Sequence, residues 1–273
     1  YFTANSRLSA APDVPVATVA IPDDVASIER GKHIAMGVTA CIACHGEQLE
    51  GTVMIDEAPI GYVPAPNLTS GAGGIGGEMT DEQWIAAIRH GIGRDGRVIG
   101  FMPSNAYAHV GDEDLGALVA YLKQLPPVDN ELGDRQLQLP GTMIFGLMAY
   151  NSLPINQIDH AAVGGSAPPA GVSAEYGEYL SQIGACRDCH AANLAGNTDP
   201  NSAGLGPNIT PGGRLASYNE NQFLAFMRSG VTPEGRQTDG EEMPWLEYRH
   251  QTDEELQALY TYLTSNEALP DNE

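Results

Sequence analysis

The chain has 273 residues and a mass of 28.9 kDa, enough for one large or two modest domains. Only 7 % of its residues are aromatic, while 32 Gly and 19 Pro imply much loop, so something other than large side chains is expected to fill the centre. The 35 acidic against 13 basic residues give a net charge of −22, which repels nucleic acid and anionic lipid headgroups and excludes both as partners; simple solubility or docking onto a basic patch of another protein remains.

Residues 1–23 read as an N-terminal extension. The chain opens at Tyr1 rather than Met, so an upstream signal or anchor, since removed, is expected. No run within it approaches the ~18–20 apolar residues of a membrane span. A first helix is predicted from Asp24, with Val25, Ile28 and Ala35 on one face, ending at "CIACH", residues 41–45. A long loop carries "PNLT" at 66–69. Thr80 and Gln83 then form a capping-box pair opening a second helix, whose apolar face is Trp84, Ile85 and Ile88. A "DGR" turn at 95–97 and the loop dipeptide Met102-Pro103 lead to a third helix with Leu115, Leu118, Val119 and Leu122. Pro and Gly clusters bound a linker over residues 127–172, whose apolar segment "GTMIFGLMAY" (141–150) is expected to wedge against one or both neighbours.

Residues 173–273 repeat the pattern block by block. A helix from Ser173 carries Tyr176, Leu180 and Ile183 and runs into "CRDCH" at 186–190. "PNIT" at 207–210 answers "PNLT", "NQFLAFMRSG" at 221–230 answers "EQWIAAIRHG" at 82–91, and "EGR" at 234–236 answers "DGR". "MPWLEYRHQTDEEL" at 243–256 answers "MPSNAYAHVGDEDL" at 102–115, and Thr252 and Glu255 cap the last helix, with Leu256, Leu259, Tyr260 and Leu263. Chance similarity does not preserve the order of so many blocks, so 24–126 and 173–273 read as two copies of one domain. No alternating segment of strand length stands out. The expected fold class is all-α, each copy being about three helices with long loops.

All four cysteines are used in two copies of Cys-x-x-Cys-His. Cys41 and Cys44, or Cys186 and Cys189, can add across the two vinyl groups of a haem while His45 or His190 reaches the iron; this is the c-type haem signature. A four-cysteine zinc site is disfavoured by the distance between motifs and by the His that follows each. A redox dithiol would need a βαβ setting, and a disulfide does not close readily over so short a loop. Two covalently bound haem c groups are therefore expected.

For the second axial position the candidates are Met102 and Met243, aligned between the copies and each followed by a stiffening Pro. Their rivals are His109 and His250, seven residues on, which could instead pair with the acidic helix starts beside them. His33, His90 and His160 have no counterpart in the other copy and read as surface or satisfied polar residues. A metal-bound His donates its free N–H to a carbonyl, and the loops of Pro66-Asn67 and Pro207-Asn208 are placed to supply one. Arg97 and Arg236 either neutralise haem propionates or are solvated arginines in a turn.

On CIACH/CRDCH, PNLT/PNIT, FMPS/EMPW and the two C-terminal helices, the chain resembles class I c-type cytochromes fused as a tandem dihaem protein. It is similar to dihaem cytochromes and to cytochrome subunits that accept electrons from bacterial dehydrogenases or pass them to oxidases. The resemblance covers 24–126 and 173–266. It implies that the helix before the first cysteine crosses the C-terminal helix, with Gly31 or Gly177 permitting close approach near Tyr121 or Tyr262. It also implies an electron-transfer protein, not an enzyme, relaying single electrons between donor and acceptor proteins in a periplasmic or otherwise extracytoplasmic respiratory or photosynthetic chain. A dihaem peroxidase is the enzymatic alternative, but it needs an open iron, whereas both copies keep Met-Pro. A haem-bearing subunit of a larger complex or filament is the other alternative; cytochrome subunits of alcohol dehydrogenases have three haems against two motifs here.

Overall fold

The computed structural model describes residues 1–199 and 204–272; residues 200–203 and 273, within the expected second domain, lie outside the described residues. The chain divides into two compact units, Tyr1–Ala35 with Cys41–Ser166, and Met36–Ala40 with Ala167–Glu273.

Unit 1 is framed by α2 (Val25–His33) and α6 (Asp112–Leu122), which pack on one another. Asp24 caps α2, its carboxylate accepting the Ser27 amide at 3.0 Å. The two helices touch backbone to backbone at Gly31, where an added Cβ would lie 1.9 Å from the Ala117 oxygen, one turn before Tyr121. Val25, expected on the apolar face, is 77 % exposed, because it is the first residue of α2 and lies more than a turn ahead of that crossing; Ile34 and Ala35 are fully buried.

Between these helices come α3 (Ile42–His45), the strands β1 (Thr52–Glu57) and β2 (Gly61–Ala65), α4 (Asp81–His90) and α5 (Ser104–Tyr107). The antiparallel β1–β2 hairpin is extended by β3 (Gln136–Leu137), so the all-α expectation holds for the frame but misses this small sheet. The strand-forming residues Val53, Ile55, Tyr62 and Val63 were present, but the register shifts between Val53 and Ile55, which breaks the alternation that marks a strand in sequence. Thr80 and Gln83 complete the capping box of α4, and Gly91 ends it in the left-handed region at φ +68°.

Two further helices, α1 (Phe2–Ser9) and α7 (Leu139–Met143), lie outside the repeat. After α7 the chain makes a π-helical turn over Ile144–Met148 and 3-10 turns over Tyr150–Ser152 and Pro154–Gln157. Leu8, Val98, Leu153 and Ile155 form a second core that Ala11, Ile92, Leu137, Phe145 and Tyr150 flank. Ile155 packs at Gly91, so these added segments reach the C-terminal end of α4.

Unit 2 repeats the frame with α8 (Ala174–Ile183) against α12 (Asp253–Ser265), joined through α9 (Cys186–His190), a small β4 (Ala195–Asn197)–β5 (Gly206–Asn208) pair, α10 (Glu220–Ser229) and α11 (Trp245–Tyr248). A Cβ on Gly177 would lie 2.0 Å from the Ala258 oxygen and 2.7 Å from the Tyr262 Cβ. Capping boxes open both α10 (Asn219, Gln222) and α12 (Thr252, Glu255).

Candidate cofactor and metal-ligand sites

In each unit one helical turn carries both thiols and the imidazole: α3, capped by Cys41, and α9. The four cysteines are half-buried and unbridged. Burial pushes the Cys186 thiol up to about 11 and raises Cys189 as well. A redox-active or nucleophilic thiol is activated by the opposite shift, so this environment disfavours a dithiol reagent.

His45 and His190 are buried, at 9 % and 8 % exposure. Nδ1 of His45 donates to the Pro66 carbonyl at 2.9 Å, and Nδ1 of His190 donates to the Pro207 carbonyl at 2.7 Å. A carbonyl can only accept, so the proton sits on Nδ1 and Nε2 keeps its lone pair. Burial lowers both imidazole pKa values below the ordinary range, against the opposing effect of the carbonyls, and favours the neutral form that a metal requires.

The proline carbonyls are held in place by the next residue. Asn67 Nδ2 donates to Val128 O at 2.7 Å while its Oδ1 accepts from the Thr69 amide at 2.9 Å. Asn208 does the same with Leu269 O at 2.8 Å and the Thr210 amide at 2.9 Å. Thr69 and Thr210 add hydroxyl contacts to the Val128 and Leu269 amides. The two asparagines thus fasten the His-supporting loop to the chain beyond the third helix rather than reaching toward a carboxylate.

Met102 and Met243 sit half-buried just before α5 and α11, whereas His109 and His250 are both exposed. The loop between each Met and the next long helix is tied by an arginine that sequence reasoning passed over. Arg89, 1 % exposed, donates through Nη2 to Val110 O at 2.7 Å and pairs with Asp112 at 2.8 Å. Its counterpart Arg228 donates to Arg249 O and Gln251 O and pairs with Asp253 at 2.6 Å. Val110 matches Gln251 and Asp112 matches Asp253, so both copies use one clamp. The signal was there in the aligned "IRHG" and "MRSG".

Arg97 pairs with Asp95 at 3.2 Å and Asp134 at 3.7 Å, and Arg236 is exposed; the Glu234 carboxyl beside it is held below its ordinary pKa, chiefly by a hydrogen bond with Thr232 and least by Arg236. His90, expected as a surface or satisfied polar residue, is neither: it is fully buried, its Nδ1 lies 2.9 Å from Nδ1 of His160, and their rings stack at 5.2 Å. His160 Nε2 donates to Ile155 O at 3.1 Å, so the shared proton belongs to His90, whose Nε2 is buried without a partner.

The donor sets fit haem c: two unbridged thiols and one neutral buried imidazole on a single turn, in each unit. Trp84 Nε1, on the apolar face of α4, is buried without a hydrogen-bond partner and is a donor available to a propionate.

Comparison with known proteins agrees with this chemistry. The family described as cytochrome c oxidase, cbb3-type, subunit III, matches residues 26–122. The fructose dehydrogenase cytochrome subunit of Gluconobacter japonicus is 31 % identical over 266 residues, 88 % of this chain and 52 % of that one. The alcohol dehydrogenase (quinone) cytochrome c subunit of Gluconobacter oxydans is 25 % identical over 274 residues, 91 % of this chain and 56 % of that one. A diheme cytochrome c-type protein of Cereibacter sphaeroides is 27 % identical over 256 residues, 86 % and 84 % of the two chains. The chain spans about half the length of the dehydrogenase subunits it matches.

Proposed function

We propose, from the premise that this chain is a c-type cytochrome similar to the cytochrome subunits of dehydrogenases, that it carries two covalent haem c groups and relays single electrons between protein redox partners outside the cytoplasmic membrane. It is an electron-transfer protein, not itself catalytic. When bound, each haem supplies an iron that cycles between the ferric and ferrous states.

The chain's own residues do the rest. Cys41 and Cys44, and Cys186 and Cys189, hold the groups through thioethers. His45 and His190, kept neutral and oriented by Pro66 O and Pro207 O, would hold the iron through Nε2. Met102 and Met243, on loops that Arg89 and Arg228 tie down, would also hold the groups, as soft, neutral ligands that favour ferrous iron. A peroxidase would need an iron open to peroxide, which a thioether from Met102 or Met243 would close in either unit. The exposed His109 and His250 would have to turn inward to replace the methionines.

The observation that carries this reading is the repeated turn of two thiols and a buried imidazole whose Nδ1 is given to a matched proline carbonyl. Its test is the mass of the denatured polypeptide after acid-acetone washing: two haem adducts are expected, and one or none would overturn it. Near-infrared absorption of the ferric protein should show iron–sulfur bands, lost one at a time in Met102→Ala and Met243→Ala and kept in His109→Ala and His250→Ala. Rapid carbon monoxide binding at both reduced haems would instead mean open coordination sites.

A second reading concerns assembly. The dehydrogenase cytochrome subunits among the relatives favour a subunit of a larger complex over a free carrier. Size-exclusion chromatography of the protein from its native source separates the two: other polypeptides co-eluting with the haem absorbance support a complex, and this polypeptide eluting by itself supports a free carrier.

A further inference from the structure

In unit 2 a tyrosine joins the two elements that carry the candidate ligands. Tyr248 ends α11, five residues after Met243, and is 8 % exposed. Its hydroxyl donates to the Gly184 carbonyl at 2.5 Å in a buried setting. Gly184 follows the last residue of α8, so its carbonyl has no donor within that helix. The next residue, Ala185, takes the left-handed conformation at φ 56°, and α9 with Cys186, Cys189 and His190 starts directly after it. A non-glycine residue is uncommon in that region and persists where its surroundings hold it.

The other end of the link is equally short. The Trp245 amide donates to Met243 O at 2.7 Å and the Tyr248 amide to Pro244 O at 3.2 Å, so Met243 and Tyr248 bracket a single turn. The Trp245 indole donates to Thr238 O at 3.1 Å and closes the loop ahead of Met243. The first copy keeps the same pieces at matching positions: Tyr107 is 8 % exposed, and Ala40, before Cys41, is left-handed at φ 50°.

We propose that the Tyr248 hydroxyl is a positioning group for the second haem, fixing the Met243 loop to the turn that bears Cys186, Cys189 and His190. The inference rests on the reading of Met243 as an axial ligand. An axial thioether exchanges between bound and released states, and a bond made only when the loop is closed favours the bound one. Without the hydroxyl, Gly184 O is left buried and unpaired unless the loop lifts and admits water. The arginine clamp does not make this connection. The partners of Arg228, which are Arg249 O, Gln251 O and Asp253, all follow α11 in the chain, and none belongs to α8 or α9.

The test is imidazole binding to the full ferric protein with its haems, followed by loss of the iron–sulfur band. The part of the band due to Met243 is the part missing in Met243→Ala. Imidazole must displace the thioether, so its apparent affinity reports how often the loop is released. Tyr248→Phe keeps the ring and removes one hydrogen bond. It should raise imidazole affinity at that haem roughly 5–10-fold and leave the Met102 part of the band unchanged. Tyr260→Phe removes another hydroxyl-to-carbonyl bond of unit 2, from α12 to Tyr218 O at 3.0 Å, where neither segment bears a candidate ligand. It should lower stability toward denaturant by a similar amount and leave imidazole affinity as it was. Unchanged affinity in Tyr248→Phe, or an equal gain in Tyr260→Phe, would make the hydroxyl merely structural and overturn the inference alone. If the unsubstituted protein shows no band that Met243→Ala removes, the ligation reading fails, and the inference with it.

Discussion

The second helix of the repeat folds the same way in both units and ends up in two environments. In unit 1, α4 buries Trp84, Ile85, Ala86, Ile88, Arg89 and His90; in unit 2, α10 buries only Phe223 and Met227. The capping box, the left-handed glycine at the C-terminus and the arginine clamp are common to the two. What differs is outside the repeat. Ile155 and His160 meet the C-terminal end of α4, at Gly91 and His90, and Arg228 on α10 stays one-third exposed where Arg89 is sealed. The capped frame of such a helix is therefore set by the repeat, while the rest of its surface is free to acquire other contacts.

The largest effect should come from breaking what the units share. Gly31→Val and Gly177→Val each place a side chain on a backbone carbonyl, and each should destabilise its own unit by on the order of 4 kcal/mol or more, read by chemical denaturation and by proteolysis confined to that unit. Near-equal losses are expected. A well-folded variant would mean that the helices do not cross at these glycines.

Removing the clamp should separate the units. Arg89→Ala empties a sealed site and leaves Val110 O without its donor, at a cost of roughly 2–4 kcal/mol. Arg228→Ala acts on a partly solvated ion pair and should cost about 1 kcal/mol. In both, the iron–sulfur band of the corresponding haem should weaken, because the loop carrying Met102 or Met243 is no longer tied. Arg89→Lys should restore little of it, since an ammonium cannot bridge a carbonyl and a carboxylate in the same fork.

Acid should weaken unit 1 more than unit 2. His90 is depressed to about 4 by burial, by the facing His160 and by Arg89, against 6.5 for a free imidazole. The unfolded chain thus takes up the proton first. The contribution is intact above about pH 6.5, is lost as the pH falls toward 4, and amounts to on the order of 2 kcal/mol. His90→Ser, which installs what unit 2 has at the matching Ser229, should flatten that slope in pH-dependent thermal melts. An unchanged slope would assign the acid sensitivity to other groups. The smallest expected effect is in the caps. Thr80→Ala and Asn219→Ala should each cost about 1 kcal/mol, alike in the two units, because the same box stands in solvent in both.

Features governed by neighbours a few residues away were readable from the amino-acid order alone. The capping boxes, the buried faces of the long helices and the paired Cys-x-x-Cys-His turns all lie within about one to four helical turns, where spacing dictates which side chains share a face. The repeat then added what no single stretch could, since matched prolines and methionines pointed to the same loops in both halves.

Tertiary structure decided the rest. Asn67 reaches Val128, Arg89 reaches Asp112, and His90 meets His160, each a contact between segments that no periodicity links. The β1–β2 hairpin was hidden by its own register shift, and the apolar segment 141–150 could be recognised as packing without a partner being named. Local spacing records which side chains a helix presents together. Whether a buried arginine or histidine on that helix finds its partner depends on long-range closure of the chain, which the order of residues does not display.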